Sequence, residues 1–135
     1  MRIVLDTNVL VSAMLKQGSP PDLVLSLVIA GRVELVVDSR IRAEYRAVLA
    51  RPVFRLPAAA VDRVLRVVEA SEWVVPDPLP LLTTDPDDQP FLEVAIAAGV
   101  DAIVTGNTRH FRQGRRKPAV PIMTPREFID RLRAP

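Results

Sequence analysis

The chain has 135 residues, 49% of them hydrophobic, and a formal net charge of +2. This length and composition suit one domain with a buried core, so a single domain over residues 1–135 is predicted. No apolar run reaches the ~20 residues of a membrane span, and the N-terminus lacks a signal-peptide pattern, which predicts a cytoplasmic location. The chain has no cysteine, so a metal ion would need oxygen ligands or the single histidine, as Mg²⁺ or Mn²⁺ would.

Strand-like and helix-like segments alternate along the chain. Strands are predicted for short apolar, β-branched runs, at residues 1–5, 32–38, 73–76, 101–106 and 120–124. Helices are predicted where apolar residues recur every three or four positions between Pro or Gly signals, at residues 20–30, 39–51, 58–70, 91–99 and from 125 onward. The segment 76–90 carries five prolines and is predicted to be a loop.

This alternation predicts an α/β fold with a central parallel sheet of about five strands, covered by helices on both faces. Such sheets bind ligands beyond the carboxyl ends of their strands. Polar residues occupy those positions here, namely Asp6, Asp38 and the segment 105–107. The functional site is therefore expected at this edge of the sheet.

Asp6 interrupts the otherwise apolar run MRIVLDTNVLV. A buried carboxylate is unfavourable unless it is paired, hydrogen-bonded or bound to a metal, so Asp6 needs a partner. Asp, Thr and Asn also favour helix N-termini, so a helix cap is the alternative interpretation of this residue.

Two further acidic positions stand out. Glu44 lies beside the apolar stripe of its predicted helix, although the stem of an edge Glu can pack while its carboxylate reaches water. Asp85, Asp87 and Asp88 fall within four residues just before the next apolar helix. Capping and the helix dipole account for two of these three acids, which leaves one without an explanation.

Asp6, Glu44, Asp88 and Asn107 come from four separate predicted elements, each near a strand end or a helix start. Carboxylates that converge raise one another's pKa unless a cation neutralises them. A divalent ion would do this, and in a hydrolase it activates water and stabilises a phosphodiester transition state. These residues therefore predict a metal-dependent hydrolase that uses Mg²⁺ or Mn²⁺.

Three stretches, IVLDTNVLVSA, SRIRAEYRAVLARP and DPDDQPFLEVAIAAGVDAIVTGNTRHF, together resemble the PIN-domain family. The resemblance runs from residue 2 to about 128, and it is to the toxin components of bacterial toxin–antitoxin systems, relatives of VapC-type ribonucleases. It implies a PIN-like three-layer α/β/α fold and a metal-dependent endoribonuclease that cleaves single-stranded RNA. A cognate antitoxin protein is the implied partner.

The resemblance also implies roles for individual residues. Asp6, Glu44 and Asp88 would be the metal-binding carboxylates and, with Asn107, the catalytic residues. Asn107 stands where many PIN domains have a fourth Asp, which leaves open whether the chain binds one metal ion or two. Supporting residues would hold the first loop, line the site and extend the acidic turn, and these are Asn8, Thr105, Asp85 and Asp87.

A basic segment, RHFRQGRRK at residues 109–117, directly follows the proposed site and carries five Arg or Lys in nine residues. Arg suits bidentate contacts with phosphate, so the segment is predicted to bind RNA. The residues concerned are Arg109, Arg112, Arg115, Arg116 and Lys117. A merely solvated basic surface is the alternative.

Two other functions are compatible with the sequence. A receiver-like signalling domain is also α/β and binds Mg²⁺ through acids at strand ends, but it needs a phospho-accepting Asp, for which Asp38 is the candidate, and a Lys late in the chain. The late lysine here, Lys117, is outside any predicted strand end. A catalytically weak PIN-fold RNA-binding module is the other alternative, suggested by Asn107. The oligomeric state stays open, a homodimer included.

Overall fold

The computed structural model of the chain describes residues 1–111 and 119–135. Within these ranges five strands form the centre of the fold: β1 (Arg2–Leu5), β2 (Glu34–Val37), β3 (Glu72–Trp73), β4 (Ala102–Val104) and β5 (Ile122–Met123). They form one sheet in the order β3-β2-β1-β4-β5, and every neighbouring pair is parallel.

Strand β1 lies at the middle of the sheet. Its residues Ile3, Val4 and Leu5 are at most 1% exposed, and Ile3 pairs with Leu35 of β2 on one side and Ala102 of β4 on the other. Each such apolar side chain stabilises the fold by roughly 1.5–3 kcal/mol when it is fully buried. Residues that follow β1 are therefore placed at the centre of the carboxyl edge.

Six helices are described: α1 (Thr7–Leu15), α2 (Pro20–Ile29), α3 (Ser39–Leu49), α4 (Ala58–Glu69), α5 (Gln89–Ala98) and α6 (Pro125–Arg133). Helix α5 packs across β1, β2 and β4, whereas α6 packs against β4 and β5. Helix α2 contacts α1 and α6, and α3 contacts α1, α4 and α5. The result is a three-layer α/β/α fold, so the predicted fold class is confirmed.

Several element boundaries differ from the sequence predictions. Strand β3 ends at Trp73 instead of residue 76, because Pro76 has no N–H for a sheet hydrogen bond. Helix α5 begins at Gln89 instead of residue 91, since Pro90 sits in its first turn, where a backbone N–H has no helical partner. The predicted capping box of α6 is present, with Thr124 accepting from the backbone N–H of Glu127 and the Glu127 side chain accepting from that of Thr124.

Over the described ranges, each helix is too short or too polar to cross a lipid bilayer. The described residues share one apolar core, in which the largest fully buried side chains are aromatic, Tyr45, Phe91, Phe111 and Phe128.

Candidate active site

Asp6 lies at the carboxyl end of the central strand β1 and is 5% exposed. It occupies the N-cap position of α1, but its side chain makes no capping hydrogen bond. Instead its Oδ2 accepts a hydrogen bond of 2.7 Å from the hydroxyl of Thr105, which directly follows β4. Burial raises the pKa of Asp6, and the hydrogen bond from Thr105 opposes that rise. Helix capping therefore does not explain why a carboxylate is buried here.

Glu44 reaches the same region from α3. Its carboxylate accepts a hydrogen bond from the hydroxyl of Thr7, the first residue of α1. Burial raises the pKa of Glu44, the hydrogen bond from Thr7 lowers it, and the negative charge of Asp6 raises it further. Glu44 is thus directed toward Asp6 and Thr7 rather than toward open solvent.

Asp88 immediately precedes α5 and contributes the third carboxylate. Its Oδ2 atom is buried without a hydrogen-bond partner. The Nδ1 atom of His110 lies 3.1 Å from this oxygen, although not in hydrogen-bond geometry. Burial raises the pKa of Asp88 to about 6, with a further contribution from the charge of Asp6, while His110 acts in the opposite direction. A cation bound next to Asp88 Oδ2 would supply the partner that this buried oxygen lacks.

Asn107 lies on the exposed side of the site, after β4. Its backbone N–H donates to the Thr105 hydroxyl at 3.0 Å, and its Nδ2 atom is 2.8 Å from Nε2 of His110. Thr105 therefore connects Asn107 to Asp6, and His110 connects Asn107 to Asp88. The position that would carry a fourth acid in the predicted site is occupied by an amide paired with an imidazole.

The structure thus brings Asp6, Glu44, Asp88 and Asn107 to one end of the sheet, linked through short side-chain contacts. In residues 1–111 and 119–135, no three Asp, Glu or His side chains stand close enough together to hold a metal ion as placed.

The other predicted residues are either exposed or lie outside the described residues. Asn8 is exposed within the first turn of α1, so it lies in a helix and not in the loop it was expected to hold. Asp85 and Asp87 are also exposed, and the Asp85 side chain accepts from the backbone N–H of Asp87 at 2.9 Å, which caps a short 3₁₀ turn. Arg109 is exposed near the site. The remaining RNA-binding predictions lie outside the described residues, at Arg112, Arg115, Arg116 and Lys117.

Three residues of this region were not predicted from the sequence to belong to the site. Thr7 positions Glu44, and His110 lies between Asn107 and Asp88. Tyr45 is fully buried, donates its hydroxyl hydrogen to the backbone carbonyl of Leu5, and has a pKa raised well above its usual value by burial. Thr7 could have been inferred from the sequence, because it directly follows Asp6 in the DTN stretch. Tyr45 could not, because only the fold brings it to β1.

The donor set fits a hard divalent cation. Asp6, Glu44 and Asp88 offer carboxylate oxygens, the ligands that Mg²⁺ and Mn²⁺ prefer. In the part of the chain that the structure describes, none of the three forms an ion pair with Lys or Arg. Three buried or half-buried acids without an Arg or Lys partner among the described residues, at the carboxyl edge of a parallel sheet, are a donor set that suits a metal ion.

A comparison with known families identifies the class more closely. The sequence model described as PIN domain matches residues 2–109, so the chain belongs to the PIN domain family. PIN domains are generally nucleases and generally use divalent metal ions. A search among curated proteins found no matching sequence.

The surroundings of Asp38 also disfavour the receiver-like signalling alternative. Asp38 caps α3 and pairs with Arg40, whereas the phospho-accepting Asp of a receiver would have to be available for phosphorylation.

Proposed function

We propose that this protein is a Mg²⁺- or Mn²⁺-dependent endoribonuclease that cleaves single-stranded RNA, and that it is the toxin of a toxin–antitoxin pair. The observation that carries the proposal is the buried Asp88 Oδ2, which has no hydrogen-bond donor and lies among acids whose pKa values are raised. A nuclease of this family needs a cation at such a place.

In this proposal Asp6, Glu44 and Asp88 hold the divalent ion, which when bound supplies an activated water and neutralises charge on the phosphodiester. Thr105 and Thr7 fix the orientation of Asp6 and Glu44 through their hydroxyl donors. Such fixed second partners lower the cost of assembling a metal site, because the ligand side chains are already ordered.

Binding to nucleic acid is supported by charge, and the choice of RNA rests on the resemblance to toxin ribonucleases. Arg109 is exposed and directly precedes His110, and the sequence continues with Arg112, Arg115, Arg116 and Lys117. Basic groups next to an acidic metal site attract the phosphate backbone, while the acids repel it unless a cation is bound. RNA binding and metal binding should therefore reinforce each other.

The toxin role is supported by the resemblance of the sequence to toxin components and by an apolar cleft between α2 and α6, which Leu23, Leu27 and Leu132 line. A contiguous apolar surface of this kind suits a protein partner. The proposed partner is an antitoxin encoded beside this protein, and a second copy of the chain is the competing occupant.

The deciding experiment compares the unaltered protein with Asp6→Asn in two settings. Purified protein should cleave single-stranded RNA with Mg²⁺ or Mn²⁺, lose that activity in chelator, and regain it when metal is restored. Sequencing of RNA 5′ ends from expressing cells should show new ends with the unaltered protein and none with Asp6→Asn. Full activity in chelator would refute metal dependence. The toxin role would be refuted if expression of the protein does not harm the cell and no neighbouring gene product binds the protein or suppresses its cleavage of RNA.

A further inference from the structure

A buried polar network, here called the Arg40 network, lies next to the site and consists of Asp38, Arg40, Gln89 and Glu93. Its acids and amide are well buried, with Asp38 at 4%, Glu93 at 5% and Gln89 at 9% exposure. Burial of so many polar groups is tolerated only where they satisfy one another. The contacts of these groups show which elements they connect.

The first half of the network belongs to α3. Asp38 caps this helix, with its Oδ1 accepting from the backbone N–H of Ile41 at 2.9 Å. Arg40 donates from Nε to Asp38 at 2.8 Å and from Nη1 to Glu93 of α5 at 2.7 Å. The planar guanidinium thus holds two carboxylates from different elements at once, a task that suits Arg and not Lys.

The second half of the network belongs to α5 and the loop before it. Glu93 accepts from the backbone N–H of Leu79 at 2.8 Å. Gln89 accepts from the backbone N–H of Leu82 at 3.0 Å and donates to the carbonyl of Pro80 at 2.9 Å. The loop that leads into the acidic turn is therefore fastened to α5 by two side chains of that helix.

We propose that the Arg40 network sets the separation between Glu44 and Asp88, and that Arg40, Glu93 and Gln89 are positioning residues of the site. Arg40 and Glu44 are four residues apart on α3, so they lie on the same side of one rigid helix. Asp88 directly precedes Gln89, the first residue of α5. The contact from Arg40 to Glu93 therefore fixes the helix that carries Glu44 against the helix start that carries Asp88.

No side chain of the three positioning residues forms a hydrogen bond with the side chain of Asp6, Glu44 or Asp88 among the described residues. Their effect must pass through the placement of α3 and α5. The inference rests on the proposed metal-dependent function for its catalytic part, and on geometry alone for its structural part.

The chain supplies a matched control. Arg42, also on α3, donates to Glu69 of α4 at 3.0 Å. Glu69→Gln and Glu93→Gln are the same chemical change at two acids that each accept from an arginine of α3. Among the described residues, however, the Glu69 side chain makes no hydrogen bond or ion pair with α5 or with the acidic turn. A general effect of losing an ion pair would appear in both variants.

The test uses three readouts on the full chain: Mn²⁺ binding by calorimetry, RNA cleavage as a function of Mn²⁺, and the imidazole resonances of His110 by NMR at one pH in chelator. His110 is the single histidine of the sequence, and its ring lies 3.1 Å from Asp88. Its resonances therefore report the placement of Asp88 without requiring metal or activity.

For Glu93→Gln and Arg40→Gln we expect shifted His110 resonances, Mn²⁺ affinity lower by about tenfold, and a matching rise in the Mn²⁺ concentration that gives half-maximal cleavage. The rate at saturating Mn²⁺ should fall by less, since the bound ion draws the carboxylates together. Glu69→Gln should leave all three readouts unchanged. Arg40→Lys, which keeps the charge and preserves folding, should shift the same readouts to a smaller extent.

Two results would overturn the inference. One is a Glu93→Gln or Arg40→Lys protein that folds, yet has the His110 resonances and Mn²⁺ affinity of Glu69→Gln. The other is an equal response of all variants. If the unaltered protein neither binds Mn²⁺ nor cleaves RNA, the proposed function fails, and the His110 resonances alone then decide whether the network places Asp88.

Discussion

Two neighbouring strands of the sheet, β1 and β2, each end in a buried aspartate, and the two residues have opposite surroundings. Asp38, after β2, is hydrogen-bonded to the start of α3 and paired with Arg40. Asp6, after β1, accepts from Thr105, has no Arg or Lys partner among the described residues, and has Glu44, Asp88 and His110 as its titratable neighbours. An acid that the fold supplies with its own cation serves the structure, whereas an acid without one is available to a ligand.

The acids of the Arg40 network and those of the candidate active site also differ in the direction of their pKa shifts. In the Arg40 network, burial tends to raise the pKa of Glu93, but the Leu79 N–H and Arg40 outweigh it and the pKa is lowered. Among Asp6, Glu44 and Asp88, burial dominates and each pKa is raised. Four predictions follow from this difference.

Removing charge from the site should have the largest effect. Asp6→Asn or Asp88→Asn should lower RNA cleavage by roughly two orders of magnitude or more, because each loses a ligand for the ion that stabilises the transition state. The melting temperature in chelator should stay the same or rise, since one of several repelling charges is gone. Cleavage of a fluorescent RNA and thermal unfolding measure the two effects. A variant that fails to fold would mean that the acid is structural.

Removing charge from the Arg40 network should lower the stability of the fold, in addition to its effect on metal affinity. Glu93→Gln should lower the free energy of unfolding by about 2 kcal/mol, a value between those of exposed and buried ion pairs because Arg40 is 45% exposed. Glu69→Gln, at an exposed ion pair, should cost less than ~1 kcal/mol. Urea denaturation measures both. Equal losses in the two variants would remove the distinction between the network and an ordinary surface pair.

The two regions should also respond to pH in opposite directions. The native protein binds the Asp88 proton more tightly than the unfolded chain does, so this group stabilises below pH 3.8 and its contribution is lost as the pH rises through about 6. Glu93 has a lowered pKa, so its contribution is present at higher pH and is lost as the pH falls through that lowered value.

Unfolding in chelator between about pH 4 and 7 checks this, with a limiting slope of ~1.4 kcal/mol per pH unit for each proton. In the unaltered protein, one contribution to the free energy of unfolding should fall as the pH rises. Asp88→Asn should lack this contribution, and Mg²⁺ should abolish it in the unaltered protein. An identical pH dependence in Asp88→Asn and the unaltered protein would show that Asp88 is not destabilised when charged.

Adding a charge should produce the smallest change. Asn107→Asp introduces a fourth acid and replaces the amide beside His110 with a carboxylate, so the melting temperature in chelator should fall by roughly 2–4 °C. The metal concentration needed for cleavage should fall as well, because a carboxylate binds a second ion better than an amide does. Metal titration of the free protein should show one appreciable site before the change and two after it. An unchanged metal requirement would mean that Asn107 orients the site without taking part in metal binding.

The sequence was sufficient to predict the parallel sheet and the positions of Asp6 and Asp38 at strand ends, because apolar runs that end in an aspartate report directly on those ends. The apolar pattern does not distinguish the two aspartates, since each follows a strand and precedes a helix, and only the family resemblance assigned the metal-binding role to Asp6. The difference arises from Arg40 and Glu93, which are 53 positions apart and meet only in the fold.

His110 and Gln89 were missed for related reasons. His110 was predicted only as a possible metal ligand and as part of the basic segment, because its partners Asn107 and Asp88 lie after β4 and just before α5. Gln89 is hidden between the acidic turn and Pro90, where the sequence predicts a loop. Its role depends on the path of residues 79–83, which local propensity does not determine.

The hydrogen bond from Thr105 to Asp6 joins residues 99 positions apart, through the pairing of the first strand with the fourth. During synthesis at 5–20 residues per second, roughly 5 to 20 s separate the appearance of these two residues. The first strand can pair with β2 early, but Asp6 receives its hydroxyl partner only after residue 105 has been made. The surroundings of Asp6 therefore cannot be completed until the fourth strand has been synthesised, and any activity that depends on them begins only then.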